Sequence, residues 1–290
     1  MQSKRLTLVV HILFILTIVI VFFPLIGILI ISFSDAETVR QYGYSLIPMK
    51  WSVEAYKLVF ANLFPLVKAV LLTLITGGIS AGLTVLLCAL MAYGMSRPNF
   101  AYKKAANIFI LIPMLFNGGL IPTYILNSQI LGLNDNIMIY LVTGLVTTAN
   151  IILFRTFFIG IPVSMIEAAR IDGASEMKTF VKIAVPMSKS IVASIFFTTL
   201  LQKWNDFETP LYYIRDKNLY NIQYFLQKII RDATYINELY KNSAVFTGEH
   251  LPEETLPYAM AIVVCIPILI VFPYMQRFFS KGMAIGAVKE

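Results

Sequence analysis

The strongest constraint on this chain is a series of long apolar runs with few ionised side chains. They fall near residues 6–33, 69–96, 105–126, 136–157, 186–208 and 255–277. A helix needs roughly 20 apolar residues to cross the hydrocarbon core of a bilayer. Inside lipid, a helix satisfies every backbone N–H and C=O within its own segment. The expected fold class is therefore an all-α membrane protein with six transmembrane helices. Composition agrees, because 58% of residues are apolar, only 13% are charged, and mean hydropathy is +0.75. A soluble domain is about 45–50% apolar and about 25% charged. Soluble globules and disordered chains are excluded on this ground. The two cysteines, Cys88 and Cys265, both lie in apolar runs, which excludes a disulfide scaffold and predicts reduced thiols. The first run is longer than the roughly 7–15 apolar residues of a signal peptide, and no small-residue cleavage site follows it. It reads as a retained anchor. No internal repeat is visible, and residues 1–290 read as a single transmembrane domain.

Six crossings put both ends of the chain on one side. That side carries Lys4 and Arg5; Arg97, Lys103 and Lys104; Arg155, Arg170, Lys178, Lys182 and Lys189; and Arg277, Lys281 and Lys289. These thirteen face four acids, Glu167, Asp172, Glu176 and Glu290, whereas the other side holds ten basic and twelve acidic residues. Positive charge marks the cytoplasmic side, so the termini are expected there. The net charge of +7 then calls for no nucleic acid.

The densest basic stretch separates the fourth and fifth runs. Residues 161–185 are too polar to span. Pro162 suits a helix start. Glu167, Ala168, Ala169 and Arg170 favour helix, Gly173 breaks it, and Ser175 suits an N-cap with Glu176 in the next first turn. Two short helices joined by a glycine bend are expected, leading through Pro186 into the fifth run. Taken alone, such a segment also fits an interfacial amphipathic helix.

The ordered string is more specific. Glu167-Ala168-Ala169, Gly173 six residues on, Ile183, and Pro186 nineteen residues after the glutamate resemble the EAA loop of ABC-importer permeases. Trp204-Asn205 and the tail from Ser280 to Lys289 extend the resemblance over nearly the whole chain, to the MalG-like carbohydrate permeases and their polysaccharide/oligosaccharide branch. Val185 departs from the commoner leucine. The resemblance implies that the loop is a cytoplasmic coupling helix docking on an ATPase subunit, with Glu167, Ala168, Ala169, Arg170, Asp172, Gly173 and Pro186 as its working residues. Ala168 and Ala169 would allow close approach, and Glu167 and Arg170 would make polar contacts at the rim. It further implies a second, different permease subunit, two ATPase subunits holding ATP and Mg, an extracytoplasmic substrate-binding protein, a bacterial inner membrane, and a tail around Gly286 that reaches the ATPases. No G-x-x-x-x-G-K-[ST] pattern occurs, so this chain offers no nucleotide site of that kind and is expected to be non-catalytic and to bind neither cofactor nor metal itself.

Polar groups at membrane depth mark candidate path residues or helix–helix bonds. In the fifth run Thr198, Gln202, Asn205 and Thr209 recur at spacings of four, three and four, which predicts one helical face suited to a sugar's hydroxyls. Asn150 in the fourth run and Asn117, beside Gly118-Gly119 in the third, join them. Pro113, Gly118, Gly119 and Pro122 predict a kink in the third run. Gly78 and Gly82 read as a close-packing pair, and His11 as a histidine bonded between helices.

Two outer loops are large. The first holds Trp51 and a short helix capped by Ser52. The second carries an apolar stripe of Leu219, Ile222, Leu226, Ile229, Ala233 and Ile236, where the resemblance places the binding protein. Import of a non-sugar solute, secondary transport and a scaffold role remain open on the residues alone.

Overall fold

The computed structural model describes residues 2–61, 63–242 and 251–287. Lys289 and Glu290, and the side chains of the tail around Gly286, lie outside the described residues. Helices dominate, and a single isolated bridge pairs Ser34 with Trp51. Three helices are long and apolar enough to cross a membrane: Leu6–Ser32, Leu63–Ser96 and Leu256–Pro273. Three further helix pairs meet the same length and composition only together, and each is bent at a short break. Among the described residues, length and composition allow up to six spans if each bent pair counts as one, and two of those pairs draw in the short helices of residues 163–171 and 176–187.

The chain divides into two compact units. The first comprises Met1–Val67 and Phe225–Pro267. In its Gln2–Ser32 helix, residues 6–26 are apolar on nearly every face and exposed, as a lipid-facing or subunit-facing helix should be. His11 donates from Nδ1 to the Thr7 carbonyl at 2.6 Å, within its own helix and not between helices as expected. Ser52 caps the Glu54–Ala61 helix as the sequence predicts, through the Glu54 N–H. The Ser32 hydroxyl meets the Tyr56 hydroxyl at 2.7 Å, and the Asp35 N–H bonds the Lys50 carbonyl. Together these fold the first outer loop back on itself. In the second outer loop Leu226 and Ala233 are buried as the stripe predicts, whereas Ile236 is exposed.

The second unit comprises Lys68–Tyr224 and Ile268–Glu290. Its core gathers Cys88, Ala92, Tyr93, Phe154, Phe158, Phe180 and Ile195 from segments far apart in sequence. The third run is not one kinked span. It forms the Lys103–Leu115 helix, a break at Phe116–Gly119 and a second rod over Leu120–Ile130, the two crossing at 109°. Gly119 makes the reversal with φ of +82°, a conformation a side chain disfavours. The last turn, Leu126–Ile130, is a π-helix. The fourth run is also broken, into Met138–Val142 and Thr148–Ile159, with Gly144 at φ +66° between them. Proline and glycine interrupt the hydrogen-bond ladder at these breaks.

Close packing falls one residue away from the expected glycine pair. A Cβ at Gly78 or Gly82 would meet nothing within 4 Å. At Gly77 it would lie 3.2 Å from Leu200 Cδ1 and 3.3 Å from Lys203 Cβ. Gly77 thus seats the Lys189–Trp204 helix on the second span. Cys88 is buried and Cys265 exposed, and both are free thiols.

Candidate coupling site and translocation path

Residues 161–187 fold as the sequence predicts. Val163–Ile171 is the first short helix, Gly173 turns the chain at φ +73°, and Ser175 caps Glu176–Thr179 by accepting from the Lys178 N–H. A π-turn over Phe180–Ala184 and a short turn at Val185–Met187 follow. The Glu176–Met187 segment then meets the Lys189–Trp204 helix at 81°, with Ser188 at the corner. The loop joins the fifth span through an elbow just after Pro186, and not as one continuous rod.

Two faces of the loop differ sharply. Inward, Ile166, Thr179, Phe180 and Ala184 are buried. The Phe180 ring lies 5.1 Å from Tyr93 and 6.2 Å from Phe158, and Tyr93 and Phe158 are 5.8 Å apart edge to face. An aromatic clamp of three distant segments therefore fixes the loop on the ends of the second and fourth spans. Outward, Glu167 and Ala168 are exposed, Ile171 is 86% exposed and Met177 59%. Ala169 is buried at 8% exposure, so of the two alanines only Ala168 is available for close approach from outside.

Arg170 is also not a free rim group. It donates from Nη2 and Nε to Glu176 Oε1 at 2.7 and 3.2 Å. The other Glu176 oxygen accepts from the Tyr93 hydroxyl at 3.1 Å. The Arg170 guanidinium holds the Glu176 carboxyl below the usual carboxylate range. Asp172 closes the first helix, its N–H on the Ala168 carbonyl. Sequence reasoning missed the clamp and the exposed Ile171 and Met177. Ile171 had a signal, an isoleucine between an arginine and an aspartate in a polar loop. The Tyr93 and Phe158 partners had none, since only folding brings them together.

The expected polar stripe is shorter than its spacing suggests. Thr198 and Gln202 are exposed on the Lys189–Trp204 helix. That helix ends at Trp204. Asn205 is its C-cap, accepting from Gln223 Nε2 at 3.0 Å. Thr209 belongs to the next helix, Glu208–Tyr213, and is buried. It does not share the face of Thr198, because the four-residue register does not survive the break. The Asn117 side chain accepts from the Gly119 N–H at 2.9 Å and so stabilises the reversal itself. Asn150 is partly buried in the first turn of Thr148–Ile159, its N–H on the Thr147 hydroxyl. Lys203, unassigned beforehand, donates to the Thr143 carbonyl and, at 3.1 Å, to its hydroxyl, tying the fifth span to the break in the fourth.

An all-helical membrane chain with broken spans and a clamped, outward-facing loop before the fifth is a transport permease of the ABC-importer type. A model of the family described as binding-protein-dependent transport system inner membrane component matches residues 2–285, and the chain belongs to that family. It is 31% identical over 266 residues to the polygalacturonan/rhamnogalacturonan transport system permease protein YtcP of Bacillus subtilis, covering 92% of each chain. It is 30% identical to protein LplC of the same organism, covering 92% of this chain and 88% of that one. A chain in the crystal structure of a bacterial ABC transporter involved in import of the acidic polysaccharide alginate superposes with a TM-score of 0.80. Identity there is 28%, over 96% of this chain and 98% of that one. The chain is thus a permease subunit, and in such importers ATP hydrolysis resides on a separate subunit.

Proposed function

We propose that this chain is one permease subunit of an ATP-driven importer of an oligosaccharide or polysaccharide delivered by an extracytoplasmic binding protein. The names of its relatives support the solute class. The assembly would pair it with a different permease and two ATPase subunits, and ATP and Mg would sit on the latter. Its place is a bacterial cytoplasmic membrane, with both termini and the 161–185 loop cytoplasmic; the clustering of Lys and Arg on that side supports this orientation.

One observation carries the coupling role. The Val163–Ile171 helix buries Ile166 and Ala169 on its inner face while Glu167, Ala168 and Ile171 are exposed on its outer face. A short helix with an exposed apolar residue and a flanking charge fits helix-in-groove docking. Closure of the ATPases would then move the loop as a body, and the elbow after Pro186 would carry that motion into the fifth span. Glu167, Ala168 and Ile171 make the contact, Arg170, Asp172 and Gly173 hold the turn, and Ala169 supports it from beneath. Thr198, Gln202 and Asn205 line the path at the fifth span, where exposed hydroxyl and amide groups suit a sugar's hydroxyls. Asn117 and Asn150 shape neighbouring breaks, and Thr209 serves packing.

The test is co-purification with the neighbouring subunits, followed by ATPase activity in lipid with loaded binding protein. Stimulated activity that disappears on replacing Glu167 and Ile171 supports the reading. Solute movement down an ion gradient without any recruited ATPase would replace it with secondary transport.

A further inference from the structure

Arg155 is a guanidinium set within a membrane-spanning helix without a carboxylate partner. The ion pairs among the described residues are Arg40–Glu37, Lys50–Asp35 and Arg170–Glu176. Arg155 Nη1 donates to the Asn107 side-chain oxygen at 2.8 Å. Its Nε is buried and has no hydrogen-bond partner. A half-buried guanidinium inside an apolar helix pair favours an acceptor, and a charged one above all.

The same guanidinium walls a cavity of 280 Å³. Met95, Asn107, Ile110, Leu111, Ile151 and Ile152 complete the wall. Leu111 and Ile152 are 43% and 40% exposed, so the recess opens on an apolar surface. Arg155 lies five residues before Gly160, where its helix ends, which puts it about 7 Å inside that end of the span. Lys103 precedes Asn107 by four residues and shares its helix face, adding positive charge towards the same end. One polar corner in an otherwise apolar recess does not suit a sugar. It suits an amphiphile with a negative head. Basic pockets between membrane helices at the cytoplasmic side bind anionic lipid head groups for this reason.

We propose that the recess between the Lys103–Leu115 and Thr148–Ile159 helices holds one anionic phospholipid, its head-group phosphate on Arg155 and Asn107 and an acyl chain along Leu111 and Ile152. With Nη1 on Asn107, the Arg155 guanidinium presents its delocalised charge and its remaining Nη2 donor to a phosphate oxygen. The Asn107 amide adds a further donor to the same corner. A lipid held here bridges the two helices next to the coupling loop. The proposal requires only that the chain crosses a membrane. It is independent of the solute and of the ATPase.

The experiment is native mass spectrometry and thermal melting of the full purified chain with phosphatidylglycerol, phosphatidylcholine or inorganic phosphate. The expected result is one retained phosphatidylglycerol per chain and a raised Tm with that lipid alone. Arg155→Gln should weaken retention by about tenfold, the worth of one charge-assisted contact. Arg155→Lys should fall between, keeping the charge without the planar guanidinium. Ile152→Trp, which fills the recess and leaves the guanidinium untouched, should also lose the lipid. Retention in Arg155→Gln and Ile152→Trp equal to that of the unmodified chain would overturn the proposal. So would an equal Tm rise with phosphatidylcholine, or with inorganic phosphate, which would mean an ion site without a lipid. If Arg155→Gln does not fold, Ile152→Trp and the three ligands on the unmodified chain decide the question.

Discussion

Arg170 and Glu176 close the 161–187 loop on itself, their charged groups 2.7 Å apart across the turn at Gly173. Both side chains are roughly half exposed, so their value lies in geometry more than in stability. Glu176 also receives the Tyr93 hydroxyl from the end of the second span. The pair thus sets the angle between the two short helices and ties the turn to the membrane domain.

Acid should release this latch. The Glu176 carboxyl is held below its ordinary value, so its contribution is present above the unfolded pKa, near 4.3, and is lost as pH falls through the folded one. Hydrogen-exchange protection of residues 161–187 should stay level from about pH 7 to about 5 and fall below about pH 4. Glu176→Gln should flatten that dependence and lower protection at neutral pH. An unchanged acid profile in Glu176→Gln would show that the latch does not hold the loop.

Gly173 adopts φ of +73°, where an added Cβ costs about 1–2 kcal/mol. No neighbour lies within 4 Å of that Cβ, so backbone conformation and not crowding decides the effect. Gly173→Ala should lower stimulated ATPase activity and transport together, and Gly173→Asn, which tolerates the left-handed region, should lower both less. Equal losses in the two variants would point to a lost contact and not to the turn.

Gly77 and its neighbours offer a packing contrast. Gly77→Val would press on Leu200 and Lys203, and overpacking of this kind costs about 1–3 kcal/mol. Gly78→Ala and Gly82→Ala meet open space and should leave the melting temperature of the purified chain unchanged or slightly raised, since alanine favours helix. A fall in melting temperature for Gly82→Ala matching that of Gly77→Val would contradict the assigned face.

Asp135 joins two loops. Its carboxylate accepts from the Arg215 and Asp216 N–H groups, its own N–H donates to the Tyr213 carbonyl, and it stands at φ +51°. The two N–H donors hold its carboxyl below the usual range. Asp135→Ala should expose the amides of Arg215 and Asp216 to faster hydrogen exchange. Asp135→Asn keeps one acceptor and tolerates the conformation, so it should do so less. Acid should mimic Asp135→Ala below the ordinary carboxylate pKa.

The amino-acid sequence by itself determined the solvent and the local grammar. Runs of apolar residues long enough for a bilayer allow helices and little else, because backbone groups in lipid find partners only within their own segment. Pro162, Gly173 and Ser175 act through the φ values and hydrogen bonds of their immediate neighbours, so both short coupling helices were legible. Tertiary structure alone decided how those pieces face one another. Spacing placed Thr209 with Thr198, but the helix between them ends at Trp204. Spacing singled out Gly78 and Gly82 in the second span, and only the approach of Leu200 and Lys203 identified Gly77. Arg170 had the appearance of a free rim charge until Glu176 came within reach. The aromatic clamp of Tyr93, Phe158 and Phe180 and the lone Arg155 beside its cavity join residues dozens of positions apart. Periodicity reports the neighbours within one helix. It carries no information about what another helix brings to its surface.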